Sequence, residues 1–109
     1  MKTSTVKGTN DYLPKEVLLR DYLQNTILET YINNGFEHII TPAIEDAENL
    51  DKSEGGENLN LIFKILKRGD KLEKAIEEKN YDSLSDMGLR YDLTLPLSRY
   101  YANNRANLI

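Results

Sequence analysis

The stretch PKEVLLRDYLQNTILETYINNGFEHIITP, Pro14–Pro42, sets the fold class. Pro14 suits the first turn of a helix, where its missing N–H costs nothing. Leu19, Leu23, Ile27 and Tyr31 then recur every fourth residue, and Leu18, Tyr22, Leu28 and Ile32 widen the stripe. This periodicity predicts an amphipathic helix of roughly five turns over Pro14–Asn34. Asn33-Asn34-Gly35 stops it, because Asn and Gly tolerate the left-handed conformation that closes a helix. Phe36–Thr41 reads as a strand centred on Ile39-Ile40 and closed by Pro42. A long helix delivered directly into a strand is the first half of an α+β fold.

Working outward, Glu45–Ser53 is acidic and predicts a short helical turn. Gly55-Gly56 marks a turn. Leu59–Leu66 predicts a strand, since Leu59, Leu61, Phe63 and Ile65 alternate, although Ile62 and Leu66 make the other face apolar too. Asp70 with Glu73 forms a capping-box variant that opens a helix to about Lys79, with Leu72, Ala75 and Ile76 on one face. Met87–Tyr91 predicts a third strand. Thr94 or Leu95 caps a final helix, Leu95–Asn104. This order implies an antiparallel sheet flanked by helices, with no internal repeat.

Composition narrows the chemistry. At 109 residues, 39% of them apolar and 29% charged, the chain is one globular domain or a piece of one. No apolar run reaches a membrane span, and Met1–Asn10 lacks the apolar core of a signal peptide, so the reading is cytoplasmic with no membrane partner. The absence of cysteine removes disulfides, thiolate metal sites and thiol nucleophiles together. A single histidine, His38, excludes a multi-histidine metal site. Fourteen basic against eighteen acidic residues leave a net charge of −4, a poor balance for gripping RNA alone. It is compatible with part of an RNA-handling enzyme whose basic surface lies elsewhere.

The segment LRYDLTLPLSRY, Leu89–Tyr100, carries the strongest chemical signal. A strand ends in a carboxylate and a hydroxyl two residues apart, Asp92 and Thr94, which together can grip a small cationic group. The plainer account is a turn-forming Asp and an N-cap Thr. Arg90 and Arg99 are equally salt-bridge or surface residues. His38 beside Ile39-Ile40 has a structural or surface role, and the acidic run Asp46–Glu57 lacks calcium-loop spacing. The seven tyrosines suggest packing before nucleotide stacking. Nothing here forms a Ser/His/Asp set, a catalytic carboxylate pair or a metal box. By residue chemistry alone, the chain is an α+β domain with a cation-gripping strand end.

Several segments, in order, resemble one family. KGTNDYLP before the long helix, NNGFEHIITPAIED after it, GGENLNLIFKILKRGDKL and LRYDLTLPLSRY are similar to the N-terminal part of the histidyl-tRNA synthetase catalytic domain. The resemblance covers nearly the whole chain. It implies a partial class II aminoacyl-tRNA synthetase catalytic domain, with residues 1–109 as its N-terminal piece. The first class motif falls at about 14–42 and implies a homodimer, with Leu19, Leu23, Ile27, Tyr31 and Pro42 at the interface. The family activates histidine with ATP and Mg²⁺ to histidyl-adenylate, then transfers it to tRNA(His). The histidine amino-group strand maps to 87–94, where Asp92 and Thr94 match the residues that hold the α-amino group. Many relatives have Pro-Glu-Gly-Thr where this chain has Tyr-Asp-Leu-Thr, so the shorter Asp arm requires a small backbone shift.

The same pattern puts the second class motif just after Ile109. The histidine-specific segment, the third motif and the anticodon-binding domain are likewise absent from these residues. The 109 residues alone are therefore expected to bind neither ATP nor Mg²⁺ tightly and to be inactive in adenylation, with no catalytic residue among them. Two other readings stay open. One is a non-catalytic paralogue such as the regulatory subunit of ATP phosphoribosyltransferase, which resembles the synthetase but senses histidine. The other is a dimerisation module. The wording of LRYDLT and LIFKILKRGD favours the synthetase.

Overall fold

A computed structural model of the chain describes residues 1–53 and 61–108. The Gly55-Gly56 turn, the start of the Leu59–Leu66 segment and the end of the Asp46–Glu57 run lie outside the described residues. The chain divides into two compact units, Met1–Ile39 and Ile40–Ile109.

The first unit is built on helix α1, Pro14–Asn33, with Pro14 at its first turn as expected. It ends in a Schellman closure: Gly35 takes φ +90°, its N–H donates to Ile32 O, and Phe36 N–H donates back to Tyr31 O. The apolar contact that accompanies such an ending is an edge-to-face pair of Tyr31 and Phe36, with ring centroids 5.2 Å apart. The expected one-sided amphipathicity is absent. Stepped at ~100° per residue, Val17, Leu18, Tyr22, Leu23, Ile27, Leu28 and Ile32 are spread around the whole circumference. No α1 residue is buried.

The expected strand at Phe36–Thr41 is not formed. A strand exists only where a neighbour accepts its ladder bonds, and among the described residues none pairs with this segment. Pairing begins later, in the second unit, with β1 at Ile44–Asp46, followed by α2 at Ala47–Ser53. Asp46 Oδ1 accepts the N–H groups of Glu48 (2.9 Å) and Asn49 (3.2 Å), a side-chain cap that explains the abrupt change from strand to helix. The second strand is shorter than its apolar pattern, β2 at Lys64–Leu66, with Leu61 and Phe63 outside it and exposed. Helix α3, Asp70–Glu77, has Gly69 and not Asp70 at its N-cap, with no side-chain cap bond, which corrects the capping-box expectation. Of its expected apolar face, Ala75 is buried, Leu72 is half-buried and Ile76 is exposed.

Strand β3 is Ser85–Leu89, two residues earlier than Met87–Tyr91, and it is the central strand of an antiparallel sheet ordered β1-β3-β2. Glu45 and Lys64 face Gly88 from either side. Helix α2 lies over β1 and β3, and α4, Thr94–Asn104, packs against α2. The core of this unit is small: Leu50, Ala75, Ala47 and Pro96, together with the carboxylate of Glu45, which is 5% exposed. Gly88 allows the close approach. A Cβ there would lie 2.9 Å from Leu50 Cδ1 and 3.2 Å from Phe63 O. The result is the expected antiparallel sheet flanked by helices. Among the described residues no helix is long and apolar enough to cross a membrane.

Candidate functional site

Strand β3 ends at Leu89, and the chain bends through Tyr91–Leu93 before α4 begins at Thr94. The bend is short because Pro96 sits inside the first turn of α4, where a helix has no N–H to lose, and its ring is buried. Within the bend, Asp92 Oδ1 accepts the backbone N–H of Thr94 at 3.1 Å. The half-buried Asp92 thus closes the turn into α4, while Leu93 occupies the N-cap and Thr94 is the first helical residue. Thr94 does not cap α4, contrary to expectation, because its own backbone is already helical and the cap position falls on Leu93, one residue earlier.

The arrangement leaves one carboxylate oxygen of Asp92 and the hydroxyl of Thr94 without a protein partner among the described residues. Both are acceptors suited to an ammonium group. The positive end of α4 works against a bound cation there, by about 0.3–1 kcal/mol. A hydrogen bond from an ammonium to a carboxylate contributes about 1.5–3 kcal/mol, so the carboxylate prevails.

The two arginines that flank this turn are both engaged elsewhere. Arg90 Nη1 donates to Thr41 O (3.0 Å), Thr41 Oγ1 (2.9 Å) and Pro42 O (3.3 Å), and Arg90 N–H donates to Ala43 O (2.9 Å). Arg99 Nε, on α4, lies 2.8 and 2.9 Å from the two carboxylate oxygens of Glu45. Neither guanidinium neutralises Asp92. Sequence reasoning left these arginines as generic salt-bridge or surface residues and overlooked Glu45. The only available signal was an acid inside the apolar-flanked PAIED segment.

The remaining singled-out residues are placed as follows. Leu19, Leu23, Ile27 and Tyr31 line one side of α1 and are 51–60% exposed. Pro42 is exposed in the second unit, and its carbonyl accepts from Arg90. His38 lines a hollow with Leu28, Tyr31, Phe36 and Ile39, and is exposed. Among the described residues no three His, Cys, Asp or Glu side chains gather to hold a metal ion.

A family model described as histidyl-tRNA synthetase matches residues 8–108. A histidine–tRNA ligase of Leifsonia xyli subsp. xyli is 43% identical over 105 residues, which cover 94% of this chain and 24% of that protein. A histidine–tRNA ligase of Christiangramia forsetii is 43% identical over 112 residues, covering 95% and 25%. The crystal structure of histidyl-tRNA synthetase from Nostoc sp. PCC 7120 aligns with a TM-score of 0.74 at 30% identity, over 99% of this chain and 22% of that one. The chain spans about a quarter of the length of the curated relatives it matches. With the sheet, the Asp92–Thr94 turn and α1 all inside the matched residues, the chain belongs to the histidyl-tRNA synthetase family.

Proposed function

We propose that this chain supplies the first class motif, at about residues 14–42, and the amino-group end of the histidine site, at 87–94, of a cytoplasmic histidine–tRNA ligase. The complete enzyme joins histidine to ATP, giving histidyl-adenylate and pyrophosphate, and then passes histidine to tRNA(His). In that reaction Asp92 and Thr94 accept hydrogen bonds from the α-ammonium group. Their work is positioning: a held ammonium fixes where the substrate carboxylate stands when it attacks the α-phosphorus of ATP, and no proton needs to move. Mg²⁺ would neutralise charge on the ATP phosphates, and no residue here is assigned to it.

The observation that carries this reading is the unneutralised Asp92. Its two neighbouring arginines are bound to Thr41, Pro42 and Glu45, so its charge remains available to a ligand cation. The exposed apolar line of Leu19, Leu23, Ile27 and Tyr31 on α1 supports the homodimer part of the reading, since contiguous exposed apolar surface marks a protein contact.

The test is a titration of the chain with L-histidine and with 3-(imidazol-4-yl)propionate, which lacks only the α-ammonium. Histidine is expected to bind more tightly, with amide shifts centred on Asp92–Leu95. Equal binding of the two ligands, or shifts confined to other residues, would overturn the amino-group assignment.

A further inference from the structure

We propose that Arg90 and Arg99 are positioning residues that hold the Asp92–Thr94 turn, from its two ends, onto a single stretch of chain, Thr41–Glu45. The functional part of this proposal rests on the amino-group reading above; its structural part does not.

Arg90 stands two residues before Asp92, and its guanidinium reaches three oxygens of Thr41 and Pro42. Arg99 stands five residues after Thr94, and its Nε meets both oxygens of Glu45 on β1. Between these two anchors, Asp92 Oδ1 accepts the Thr94 N–H within the turn. The anchors converge on residues 41–45, which are themselves fixed to β3 by the Ile44–Leu89 and Glu45–Gly88 pairings. Two acceptors that must meet one nitrogen atom are effective only if their spacing is set before the ligand arrives; otherwise binding bears the entropy of ordering the turn.

The Glu45 carboxylate is the second argument. Its side chain is 3% exposed, whereas that of Arg99 is 32% exposed. Apolar residues of similar volume would hold β1 and α4 together at least as well as a buried ion pair. What an ion pair supplies that an apolar contact does not is direction: it fixes the rotation of α4 about its axis, and with it the direction of Thr94. Arg90 works through Nη1 and Arg99 through Nε, nitrogens held in a rigid guanidinium plane, whereas a lysine ammonium rotates freely at the end of its flexible stem.

The experiment measures amide hydrogen exchange in the chain and in its Arg90→Lys and Arg99→Lys variants. Thr94 N–H is expected to exchange about tenfold faster in each variant, while Leu89 N–H, bonded to Phe63 O at 2.8 Å, stays within about threefold of the parent. The preference for L-histidine over 3-(imidazol-4-yl)propionate is expected to fall in parallel, because only the ammonium contact is loosened. Unchanged exchange at Thr94, or equal acceleration at Leu89 and Thr94, would mean that the arginines are merely structural and would overturn the proposal. Should Arg99→Lys fail to fold, the pair Glu45→Met with Arg99→Met removes both charges and is read by the same two amides. A parent chain with no preference for the ammonium-bearing ligand would remove the amino-group reading, while the exchange rates would still decide whether the anchors hold the turn.

Discussion

Arg99 and Glu45 lie 54 residues apart in sequence, yet Arg99 Nε sits within 2.9 Å of both oxygens of a carboxylate that is almost fully buried. The two residues are unequal partners. Glu45 has been taken out of water and depends on Arg99, whereas Arg99 is one-third exposed and can be solvated without Glu45. Arg99→Met is therefore expected to destabilise the chain by about 2–3 kcal/mol, the cost of an unsatisfied buried charge. The double variant Glu45→Met, Arg99→Met is expected to recover most of that loss. Urea denaturation of both variants checks this, and an equal loss in the two would refute it.

Asp92→Asn separates folding from binding. The amide oxygen of Asn can still accept the Thr94 N–H, so the turn into α4 keeps its bond and the denaturation midpoint is expected to move little. The negative charge is gone, however, and a charge-assisted bond to the ligand ammonium goes with it. Histidine affinity is expected to fall by about tenfold to a hundredfold, equivalent to roughly 1.5–3 kcal/mol. Calorimetric titration next to a thermal melt distinguishes this loss from unfolding.

Gly88 occupies the closest contact in the sheet. An alanine Cβ there would lie 2.9 Å from Leu50 Cδ1, 3.1 Å from Ile62 Cγ2 and 3.2 Å from the Phe63 carbonyl. The Leu50 methyl could give way, but the backbone oxygen sits just before β2, held by the Leu89 N–H that donates to it. Gly88→Ala is expected to cost about 1–3 kcal/mol through overpacking. Gly35→Ala, at φ +90° with nothing within 4 Å, should cost about 1–2 kcal/mol from backbone conformation alone. Urea midpoints of the two single variants check both losses, and a Gly88→Ala variant as stable as the parent would refute the overpacking.

The elements that were legible in the sequence are those decided locally. Helix α1 could be read because Pro14, the helical spacing and Asn34-Gly35 all act within a turn or two of themselves. The strand expected at Phe36–Thr41 could not be judged in the same way. β-Branched residues record a capacity to pair, and the partner is set by the rest of the chain. For the opposite reason β1 escaped notice: Ile44–Asp46 is one apolar residue followed by two acids, and it is a strand only because β3 lies beside it. Asp92 and Thr94 were identifiable as a pair, but their division of labour was not. Which of them closes the turn depends on the direction of one N–H bond. Glu45 was hidden by its charge, since a buried acid is recognisable only once its arginine has been found.

Helix α1 offers the last test. Leu19, Leu23, Ile27 and Tyr31 form a continuous line along the helix, each half or more exposed, and the dimer proposal places that line against its own copy. In a two-fold contact each substitution acts twice. Burying one large apolar side chain contributes about 1.5–3 kcal/mol, so Ile27→Glu should weaken self-association by about a hundredfold or more. Leu18 lies nine residues from Ile27 and hence on the opposite side of the helix, at ~100° per residue. Leu18→Glu should therefore leave a dimer formed along the Ile27 line intact. Neither change should reduce helix content, because neither side chain is buried within its unit. Sedimentation equilibrium with far-UV circular dichroism decides the matter. A parent chain that stays monomeric at high concentration would overturn the dimer reading, and an association broken by Leu18→Glu and not by Ile27→Glu would move the contact off this line.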